Sequence, residues 1–460
     1  MPLPRAPFRV FVVGLLTAGL ALGAGLVIAT PAIADTVTAT IPSTSPDTVG
    51  VTPDGTKLYV PSADGNIRVY RTSDHALVAT IATGSIGYGV TFNASGTRAY
   101  VTSLFNNRIT VINTSDDSVV TTIGTLSKPF MLAITPDGTK MYVTNDNVNS
   151  VSIIDLGINQ ITSTFTVGNG PSGIVITPDG TTAYIAYNFS AVAVVRLSDN
   201  TVTSRITPGA APIAVAITPD GSTVYVTNAD SDDMSVISTA TNQVIRTVAV
   251  GDSPQGVAVS SDGSTVVTSN AGAGTLSVIS VADNTLIRTI TVGAGASWGV
   301  FAKNSNTFYD ANESANSVSV TSIDLFPVFA PATVTTADAA TGTAFRLAIA
   351  ATNSPVFSLA GAPAGLAIDP ATGVITGTPT AAGTFAARVL ATNGLSVAAT
   401  DLAITVAAGP VAAIAPTPGT ELAATGTTPT PTALIGALLL ALGLLAIAGV
   451  AVARRRRGIR

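Results

Sequence analysis

Residues 134–145 have the sequence ITPDGTKMYVTN. The central PDG at 136–138 predicts a tight turn, because proline presets φ, aspartate caps the turn and glycine adopts positive φ. The flanking residues, MLAIT at 131–135 and KMYVT at 140–144, are small, branched or alternately polar and apolar, as in β-strands. This stretch therefore predicts two antiparallel strands joined by a short turn.

Copies of this stretch recur at a nearly constant spacing. The turn glycines are Gly55, Gly96, Gly138, Gly180, Gly221 and Gly263, with spacings of 41, 42, 42, 41 and 42 residues. A degenerate seventh copy surrounds Ser305. A fixed period near 42 residues with strand-like content is typical of a β-propeller blade. Each copy accommodates four short strands, so residues 35–324 are predicted to form a seven-bladed β-propeller.

The two ends of the repeat region predict how the ring closes. The seventh copy has only three strands and ends with SVSVTSID at 317–324. The segment DTVTATIP at 35–42 has the pattern of a fourth strand but precedes the first copy. We expect this N-terminal strand to complete the last blade, which removes an open sheet edge.

The YVTN sequences at 142–145 and 225–228, within the pattern xTPDGxxxYVTN, resemble the YVTN family of β-propeller repeats. That family is found on bacterial and archaeal cell surfaces. The resemblance covers residues 35–324 and implies a surface propeller. It implies no single activity, because one fold hosts many functions.

A second module follows the repeats. The stretch AGAPAGLAIDPATGVITGTPTAAGTFAARVLATNG at 360–394 resembles the Ig-like, cadherin-like domains of bacterial surface proteins. The matching positions include Asp369, Gly373, Gly377 and Gly383, which stand as turn residues between strands. Residues 327–407 are therefore predicted to form an Ig-like β-sandwich. Some relatives bind calcium, but this module has few acidic residues. Residues 408–421 are rich in proline and alanine and predict an extended linker.

The N-terminus predicts secretion. Arg5 and Arg9 precede an apolar run over residues 10–28, and Ala32 and Ala34 follow with the spacing of a signal-peptidase site. Residues 1–34 are therefore predicted to be a signal peptide cleaved after Ala34. The alternative is an N-terminal membrane anchor.

The C-terminus has the three parts of a cell-wall sorting signal. An apolar stretch over 433–453 is long enough for a transmembrane helix, and the basic tail 454–460 favours a cytoplasmic end. The pentapeptide before it consists of Leu422, Ala423, Ala424, Thr425 and Gly426. This order resembles the LPxTG family of sortase substrates, and more closely the LAxTG variant associated with class E sortases of high-GC Gram-positive bacteria.

The resemblance implies cleavage between Thr425 and Gly426 and transfer of Thr425 to a peptidoglycan amine. It names a class E-like sortase and peptidoglycan as partners, with membrane contact through the C-terminal helix before sorting. Ala423 stands where the commoner motif has proline, which argues against recognition by the housekeeping sortase. Without sorting, the chain would be a single-span protein on the extracellular face of the plasma membrane.

Composition excludes several classes of protein. The chain has no cysteine and one histidine, so disulfide scaffolds, thiolate sites and multi-histidine metal centres are excluded. Outside the terminal segments 1–34 and 426–460, 14 basic residues stand against 26 acidic ones. Such a surface repels phosphate backbones, which argues against a nucleic-acid partner.

Candidate ligand-binding residues lie in the loops expected to gather around the propeller channel. They are Tyr88, Phe130, Asn145, Asp146, Asn228, Trp298, Asp310 and Asn312. Trp298 is the only tryptophan and could form a sugar-stacking platform, or it could pack at the rim. Asparagine and aspartate are also common in loops because they tolerate left-handed backbone, so the alternative is that these residues only shape the loops.

Asp230, Asp232 and Asp233 form the densest acidic cluster and are the candidate metal ligands. Calcium is the cofactor that this residue set would suit, because calcium prefers oxygen ligands. The spacing does not match the EF-hand pattern. No cofactor is required by the sequence.

These observations predict an all-β, wall-anchored surface protein whose propeller binds a glycan or protein ligand on an Ig-like spacer. Two alternatives stay open: an extracellular propeller enzyme, such as a lactonase, lyase or glycan hydrolase, and a structural component of the wall or surface layer. No catalytic residue is assigned, because His75 lies in a predicted outer turn and no nucleophile elbow is present.

Overall fold

The computed structural model describes residues 36–409, apart from 125, 188–189, 328, 330–333, 354 and 394–396. The predicted signal peptide with Ala32 and Ala34, the sorting motif 422–426 and the predicted membrane helix 433–453 lie outside the described residues. Within the described part, no helix is long and apolar enough to cross a membrane.

Seven antiparallel four-stranded sheets form a propeller, which confirms the predicted fold class. Strand β1 (Thr36–Pro42) precedes the first blade. Blades 1 to 3 comprise β2 (Gly50–Val51), β3 (Lys57–Pro61), β4 (Asn66–Arg71), β5 (Leu77–Ala82); β6 (Gly87–Phe92), β7 (Arg98–Ser103), β8 (Arg108–Asn113), β9 (Ser118–Ile123); and β10 (Pro129–Ile134), β11 (Lys140–Asn145), β12 (Ser150–Asp155), β13 (Gln160–Thr166).

Blades 4 to 7 follow the same order. They comprise β14 (Pro171–Ile176), β15 (Thr182–Tyr187), β16 (Ala191–Arg196), β17 (Thr201–Ile206); β18 (Pro212–Ile217), β19 (Thr223–Asn228), β20 (Asp233–Ser238), β21 (Gln243–Ala249); β22 (Pro254–Val259), β23 (Thr265–Asn270), β24 (Thr275–Ser280), β25 (Thr285–Thr291); and β26 (Ala296–Phe301), β27 (Thr307–Asn312), β28 (Ser317–Ser322). A short 3₁₀ turn, Asp146–Val148, follows β11.

Burial changes from the inner to the outer strand of each blade. The first strands of neighbouring blades contact one another and surround the central channel. In blade 3, β11 and β12 are buried at nearly every position, whereas most residues of the outer strand β13 are exposed. The middle strands are buried on both faces because each blade is packed between two others. Their sequences therefore contain longer apolar runs than a strand with one exposed face, in which polar and apolar residues alternate.

The ring closes as predicted. Strand β1 pairs antiparallel with β28, from Thr36 opposite Ser322 to Pro42 opposite Ser317, and so supplies the fourth strand of blade 7. Ile41 of β1 is 3% exposed and belongs to an apolar cluster between blades 7 and 1. The N-terminal strand therefore contributes core as well as hydrogen bonds to the closure.

Tyrosines of the second strands connect blades 1, 3, 4 and 5 to the blade that follows each of them. Their hydroxyls donate to a residue with left-handed backbone in the turn between the third and fourth strands of the following blade. The pairs are Tyr59 with Asp117, Tyr142 with Asn200 (3.1 Å), Tyr184 with Asn242 (2.6 Å) and Tyr225 with Asn284 (2.7 Å). Where blade 7 meets blade 1, His75 takes this turn position, and its ring packs edge-on against Tyr309 with centroids 6.5 Å apart.

The Ig-like domain has two sheets around its own core. Its strands are β29 (Thr336–Ala340), β30 (Phe345–Ala348), β31 (Val356–Ala360), β32 (Leu366–Ile368), β33 (Val374–Gly377), β34 (Gly383–Thr392) and β35 (Val397–Ala407). One sheet has the order β29-β35-β34-β31, with β29 parallel to β35, and the other has the order β30-β33-β32. Phe357, Ile375, Leu402 and Ile404 are buried between the sheets.

The segment that leaves blade 7 is packed against blade 6. Phe326 is buried beside Val267, which occupies the position of the connecting tyrosine in other blades. Arg288 donates to the Asp324 carbonyl at 2.8 Å, and its guanidinium lies 5.7 Å from the Phe326 ring centroid. Blade 7 has no turn between third and fourth strands, so Phe326 fills the space that this turn occupies elsewhere.

The closing strand generates a first prediction. We expect Ile41→Ala to lower the free energy of unfolding by about 2–4 kcal/mol, because it leaves a cavity in the core between blades 7 and 1. Leu77→Ala is the matched control, since Leu77 is 53% exposed on the outer strand of blade 1 and should change stability by less than about 0.5 kcal/mol. Urea unfolding measures both. Equal losses would show that β1 does not contribute to the core in this way.

The connecting tyrosines generate a second prediction. Tyr225→Phe removes the hydroxyl that donates to Asn284, so Asn284 Oδ1 loses this donor. The free energy of unfolding should therefore fall by about 1–2 kcal/mol. In the described part of the chain, the Tyr100 hydroxyl has no side-chain partner, which makes Tyr100→Phe the control. The same urea titration should give a smaller loss for Tyr100→Phe, and the reverse order would contradict the proposed role of the hydroxyl.

Candidate functional site

One cavity, of about 320 Å³, lies at the mouth of the central channel. Every blade contributes one residue, which lies in the second position of the inner strand in blades 2 to 7 and three residues before the inner strand in blade 1. These seven residues, here called the channel-mouth ring, are Asp47, Tyr88, Phe130, Ser172, Ile213, Gln255 and Ser297. Each stands eight residues before the turn glycine of its blade, with Ser305 in that place in blade 7. The remaining lining residues are Ala271, Gly295, Trp298 and Glu313.

Hydrogen bonds from neighbouring blades fix the backbone of the ring. In most blades a hydroxyl donates to the carbonyl of the next ring residue. The donor and acceptor pairs are Thr48 with Tyr88, Thr102 with Phe130 (2.8 Å), Thr144 with Ser172 (2.8 Å), Ser172 with Ile213 (2.8 Å) and Thr227 with Gln255 (3.2 Å). At the seam, the Trp298 amide donates to the Asp47 carbonyl at 3.2 Å. The ring side chains are thus presented by a fixed backbone.

Three aromatic side chains meet in this cavity. The rings of Tyr88 and Phe130 are tilted against each other with centroids 4.6 Å apart. Trp298, from blade 7, packs edge-on against Phe130, from blade 3, with centroids 5.7 Å apart. Because these two blades are separated by blades 1 and 2, the aromatic contact reaches across part of the channel. All three side chains remain half-exposed and form an apolar wall of the cavity.

Asp47 is the charged member of the ring. Ser297 donates to Asp47 Oδ1 at 2.9 Å, and the Tyr88 hydroxyl is a second hydrogen-bond partner. Burial raises the pKa of Asp47, and the nearby Glu313 charge adds to this rise, while the bonds from Tyr88 and Ser297 oppose it. Burial and the Asp47 charge also raise the pKa of Tyr88. The Tyr88 hydroxyl therefore stays protonated and can serve as a donor.

Glu313 comes from the loop between the second and third strands of blade 7. Its amide donates to the Gly295 carbonyl at 2.9 Å, and the Ala315 amide donates to the Ala294 carbonyl at 3.0 Å. Gly295 has a φ of 73°, and a Cβ there would lie 2.7 Å from the Ser314 amide nitrogen. A glycine is needed for this close approach, which holds the Glu313 loop at the cavity edge.

The structure brings together three of the predicted binding residues, namely Tyr88, Phe130 and Trp298. Asp146 lies close enough for its charge to contribute to the raised pKa of Tyr88. It stands in the 3₁₀ turn after β11, half-exposed, and its amide donates to the Lys128 carbonyl at 3.1 Å. Asp146 is therefore near the channel mouth without lining the cavity.

The predicted loop positions of Asn145, Asn228 and Asn312 are wrong. All three lie at the ends of second strands and are buried. Each side-chain amide donates to a serine on the third strand of its own blade: Asn145 to Ser152 (2.8 Å), Asn228 to Ser235 (2.9 Å) and Asn312 to Ser319 (2.7 Å). The amide nitrogens of these asparagines therefore join the second strand of the blade to the third.

Asp310 was also predicted to lie in a loop and instead lies inside β27, fully buried. It occupies the position of Val143 and Val226 in the YVTN copies. Ser269 of blade 6 donates to Asp310 Oδ1, while Oδ2 has no partner among the described residues. Burial raises the pKa of Asp310 to about 7, and the Ser269 bond opposes the rise.

The predicted metal cluster does not form. The described residues contain no group of three or more His, Cys, Asp or Glu side chains that could hold a metal ion. Asp232 Oδ1 accepts the Ser253 amide at 2.8 Å, and Asp233 Oδ1 accepts the Asn228 side chain at 2.6 Å. Asp230 is exposed. Two of the three carboxylates are thus used to hold loops, which is why closeness in sequence did not become a calcium site.

Sequence reasoning missed Asp47, Ser172, Ile213, Gln255 and Ser297 as lining residues. Their common signal is positional: each stands at the same distance from the turn glycine as Tyr88 and Phe130. Chemical type could not reveal them, because the ring side chains differ from blade to blade. Alignment of the seven copies would have identified them.

Two family models match the chain. Residues 41–245 match the model described as "Lactonase, 7-bladed beta-propeller", and residues 326–408 match that described as "Putative Ig domain". The chain contains a lactonase-type propeller domain and an Ig-like domain. The lactonase match runs from β1 into β21, so it covers the first five blades of the lactonase-type propeller.

Similar solved structures agree with this fold. A chain of Kuenenia stuttgartiensis hydrazine synthase has a TM-score of 0.56 and 18% identity, covering 60% of this chain and 95% of that one. The Myceliophteria thermophila Cps50 (Swd1) β-propeller domain has a TM-score of 0.55 and 11% identity, covering 63% of this chain and all of that one. Identities this low show the fold alone. No curated protein matches the chain.

The geometry of the cavity suits binding. It offers three aromatic surfaces, the carboxylates of Asp47 and Glu313, and the polar groups of Ser172 and Gln255. Its volume lies at the lower end of the range for ligand pockets, about 300–1,000 Å³. A site of this size accommodates a single sugar, an amino-acid side chain or a small organic molecule.

Asp310 generates a third prediction. Its pKa is higher in the folded protein than the ordinary 3.8, so its contribution to stability is fully present below pH 3.8 and is lost as the pH rises to about 7. Asp310→Asn cannot ionise and should be more stable than the wild type at pH 8, by at most about 4 kcal/mol. At pH 4 the two proteins should have similar stability.

Urea unfolding at pH 4, 6 and 8 measures this difference, with Asp230→Asn as an exposed control that should follow the wild type. If Asp310→Asn were destabilised equally at every pH, the buried carboxyl would act as a hydrogen-bond acceptor only, and the predicted ionisation cost would be wrong.

Proposed function

We propose that this chain is a cell-wall-anchored surface protein whose propeller binds a ligand at the channel mouth, with the Ig-like domain as a spacer. The observation that carries the proposal is the cavity to which all seven blades contribute, with the aromatic contact between Tyr88, Phe130 and Trp298 as one wall. Varied side chains on a rigid ring are suited to recognition.

The proposed location rests on the two ends of the sequence. The signal-peptide pattern of residues 1–34 supports secretion, and the LAATG pentapeptide at 422–426 with its apolar stretch and basic tail supports wall attachment by a class E-like sortase. The YVTN-type repeats support a place on the cell surface. Adhesion or recognition at the wall is the role that joins this location to the cavity.

Glycan or protein is the class of ligand that we propose. Exposed aromatic rings stack on sugar faces and pack on apolar side chains, while Ser172, Gln255 and Asp47 supply hydrogen-bonding groups at the edge of the aromatic wall. Inter-blade hydrogen bonds fix the backbone of the ring that carries these groups, so the groups need little ordering when a ligand binds.

An enzyme is the second candidate, and the lactonase-type match over residues 41–245 is compatible with it without favouring it. Asp47 would be its acid–base group, since a carboxyl with a raised pKa in a cavity is suited to proton transfer. Family resemblance gives the fold and leaves the activity open, so this candidate is second to binding.

Titration of the purified protein with soluble peptidoglycan fragments and wall polysaccharides tests the binding role. Calorimetry should give saturable binding, and Trp298→Ala should weaken it at least tenfold, about 1.4 kcal/mol, by removing one aromatic surface. Phe105→Ala is the control, because Phe105 is 64% exposed in the adjacent loop of blade 2 and does not line the cavity. Thermal melting checks that each variant remains folded.

A panel of lactones and glycans, assayed for turnover, tests the enzyme. Hydrolysis or elimination that Asp47→Asn abolishes, in a folded variant, would establish the second candidate. Binding that is equally sensitive to Phe105→Ala and Trp298→Ala would place the ligand outside the cavity and would contradict the proposed site.

A further inference from the structure

The charged side chains that line the cavity are all acidic. They are Asp47 and Glu313, and no basic residue is found among the described residues of the lining. Asp47 is held by two neutral hydroxyls, those of Ser297 and Tyr88. Hydrogen bonds from neutral hydroxyls hold the Asp47 carboxylate, and no ion pair within the described lining neutralises Asp47 or Glu313.

The two carboxylates repel each other, since the charge of Glu313 raises the pKa of Asp47. Asp146, at the rim, acts on Tyr88 in the same direction. A bound anion would increase this repulsion. A bound neutral group would leave it in place, whereas a cation would be attracted by both carboxylates and would favour their ionised forms.

The aromatic wall selects among cations. A small metal ion needs several converging oxygen ligands, and no such group exists in the described part of the chain. An ammonium group carried on an organic molecule is instead attracted to the faces of Trp, Tyr and Phe within about 6 Å, and its alkyl portion packs on the same rings. Tyr88, Phe130 and Trp298 supply all three ring types around one cavity.

We infer that the channel-mouth cavity binds an organic ammonium group, with Asp47 and Glu313 as its counter-charges and Tyr88, Phe130 and Trp298 as its aromatic wall. This inference rests on the proposed binding function and names the ligand chemistry at the same site. The ammonium group can come from an amino sugar or from the side chain of a lysine-type residue, and both present a primary amine on an apolar or polyhydroxylated body.

Intrinsic fluorescence provides a direct readout, because Trp298 is the only tryptophan of the chain. The first probes are a matched pair: choline and its neutral isostere 3,3-dimethylbutan-1-ol. Choline should change the emission saturably, and the isostere should need at least a tenfold higher concentration for the same change. Raising the salt concentration should weaken choline binding and leave the isostere unaffected, because only the cation is screened.

Variants identify the counter-charges. Glu313→Gln changes an exposed residue, and Asp47→Asn retains an acceptor for Ser297; each should weaken choline binding at least fivefold. Asp230→Asn, an exposed carboxylate elsewhere on the chain, is the control and should bind choline as the wild type does. Equal binding by all three variants would overturn the inference.

A second set of probes distinguishes the sources of the amine. Glucosamine is compared with N-acetylglucosamine, and Nα-acetyl-lysine amide is compared with its Nε-acetylated form. Preference for glucosamine supports an amino sugar, and preference for the lysine derivative supports a peptide side chain. In either case, acetylation of the amine should remove most of the binding.

The outcomes separate this inference from the proposed function. If neutral sugars bind with the same dependence on Trp298 and show no preference for a cation, the binding function stands and the ammonium inference fails. If neither charged nor neutral probes change the emission, and the wall polymers also fail to bind, both are overturned.

Discussion

The bond from a second-strand hydroxyl to the first ring residue of the next blade is the constraint on which the rest of the structure depends. Thr102, Thr144 and Thr227 each make it, and where the second strand has no such hydroxyl another group replaces it, as Ser172 does in blade 4. In these four bonds the acceptor is a main-chain carbonyl, whereas Ser269 at the same position of blade 6 donates to the Asp310 side chain. The ring backbone is therefore fixed while its side chains are free to differ, so the repeat presents six residue types at seven positions around the channel.

This division explains what the sequence could and could not predict. The period of 42 residues, the strands and the closing strand β1 follow from turn chemistry and patterning, which are local. Trp298, Tyr88 and Phe130 were found because aromatic residues are conspicuous in a sequence of this composition. The prediction of loop positions for Asn145, Asn228 and Asn312 was wrong because asparagine is common both in loops and at buried strand ends. In the structure each side-chain amide donates to a third-strand serine, and only the strand register distinguishes this position from a loop position.

Blade 7 departs from the repeat in ways that are connected. Its fourth strand comes from the N-terminus, its exit segment replaces a turn with Phe326, and Asp310 stands where blades 1, 2, 3 and 5 have valine. A Cβ at Gly299 would lie 2.3 Å from the Phe308 ring and 2.8 Å from Asp310 Oδ1, so glycine is required beside this carboxyl. Trp298 and Glu313 both come from this blade. The blade that departs most from the repeat therefore supplies both an aromatic and a charged residue of the cavity.

A family match to this propeller gives the scaffold and leaves the activity open. The lactonase-type match covers blades 1 to 5. Two of the residues that give the cavity its charge and aromatic surface, Glu313 and Trp298, lie beyond residue 245, in the blade that closes the ring. Because the ring backbone is held by main-chain carbonyls, its side chains can change with little effect on the fold. Propellers that share this scaffold need not share a ligand, and the chemistry of each must be derived from its own ring.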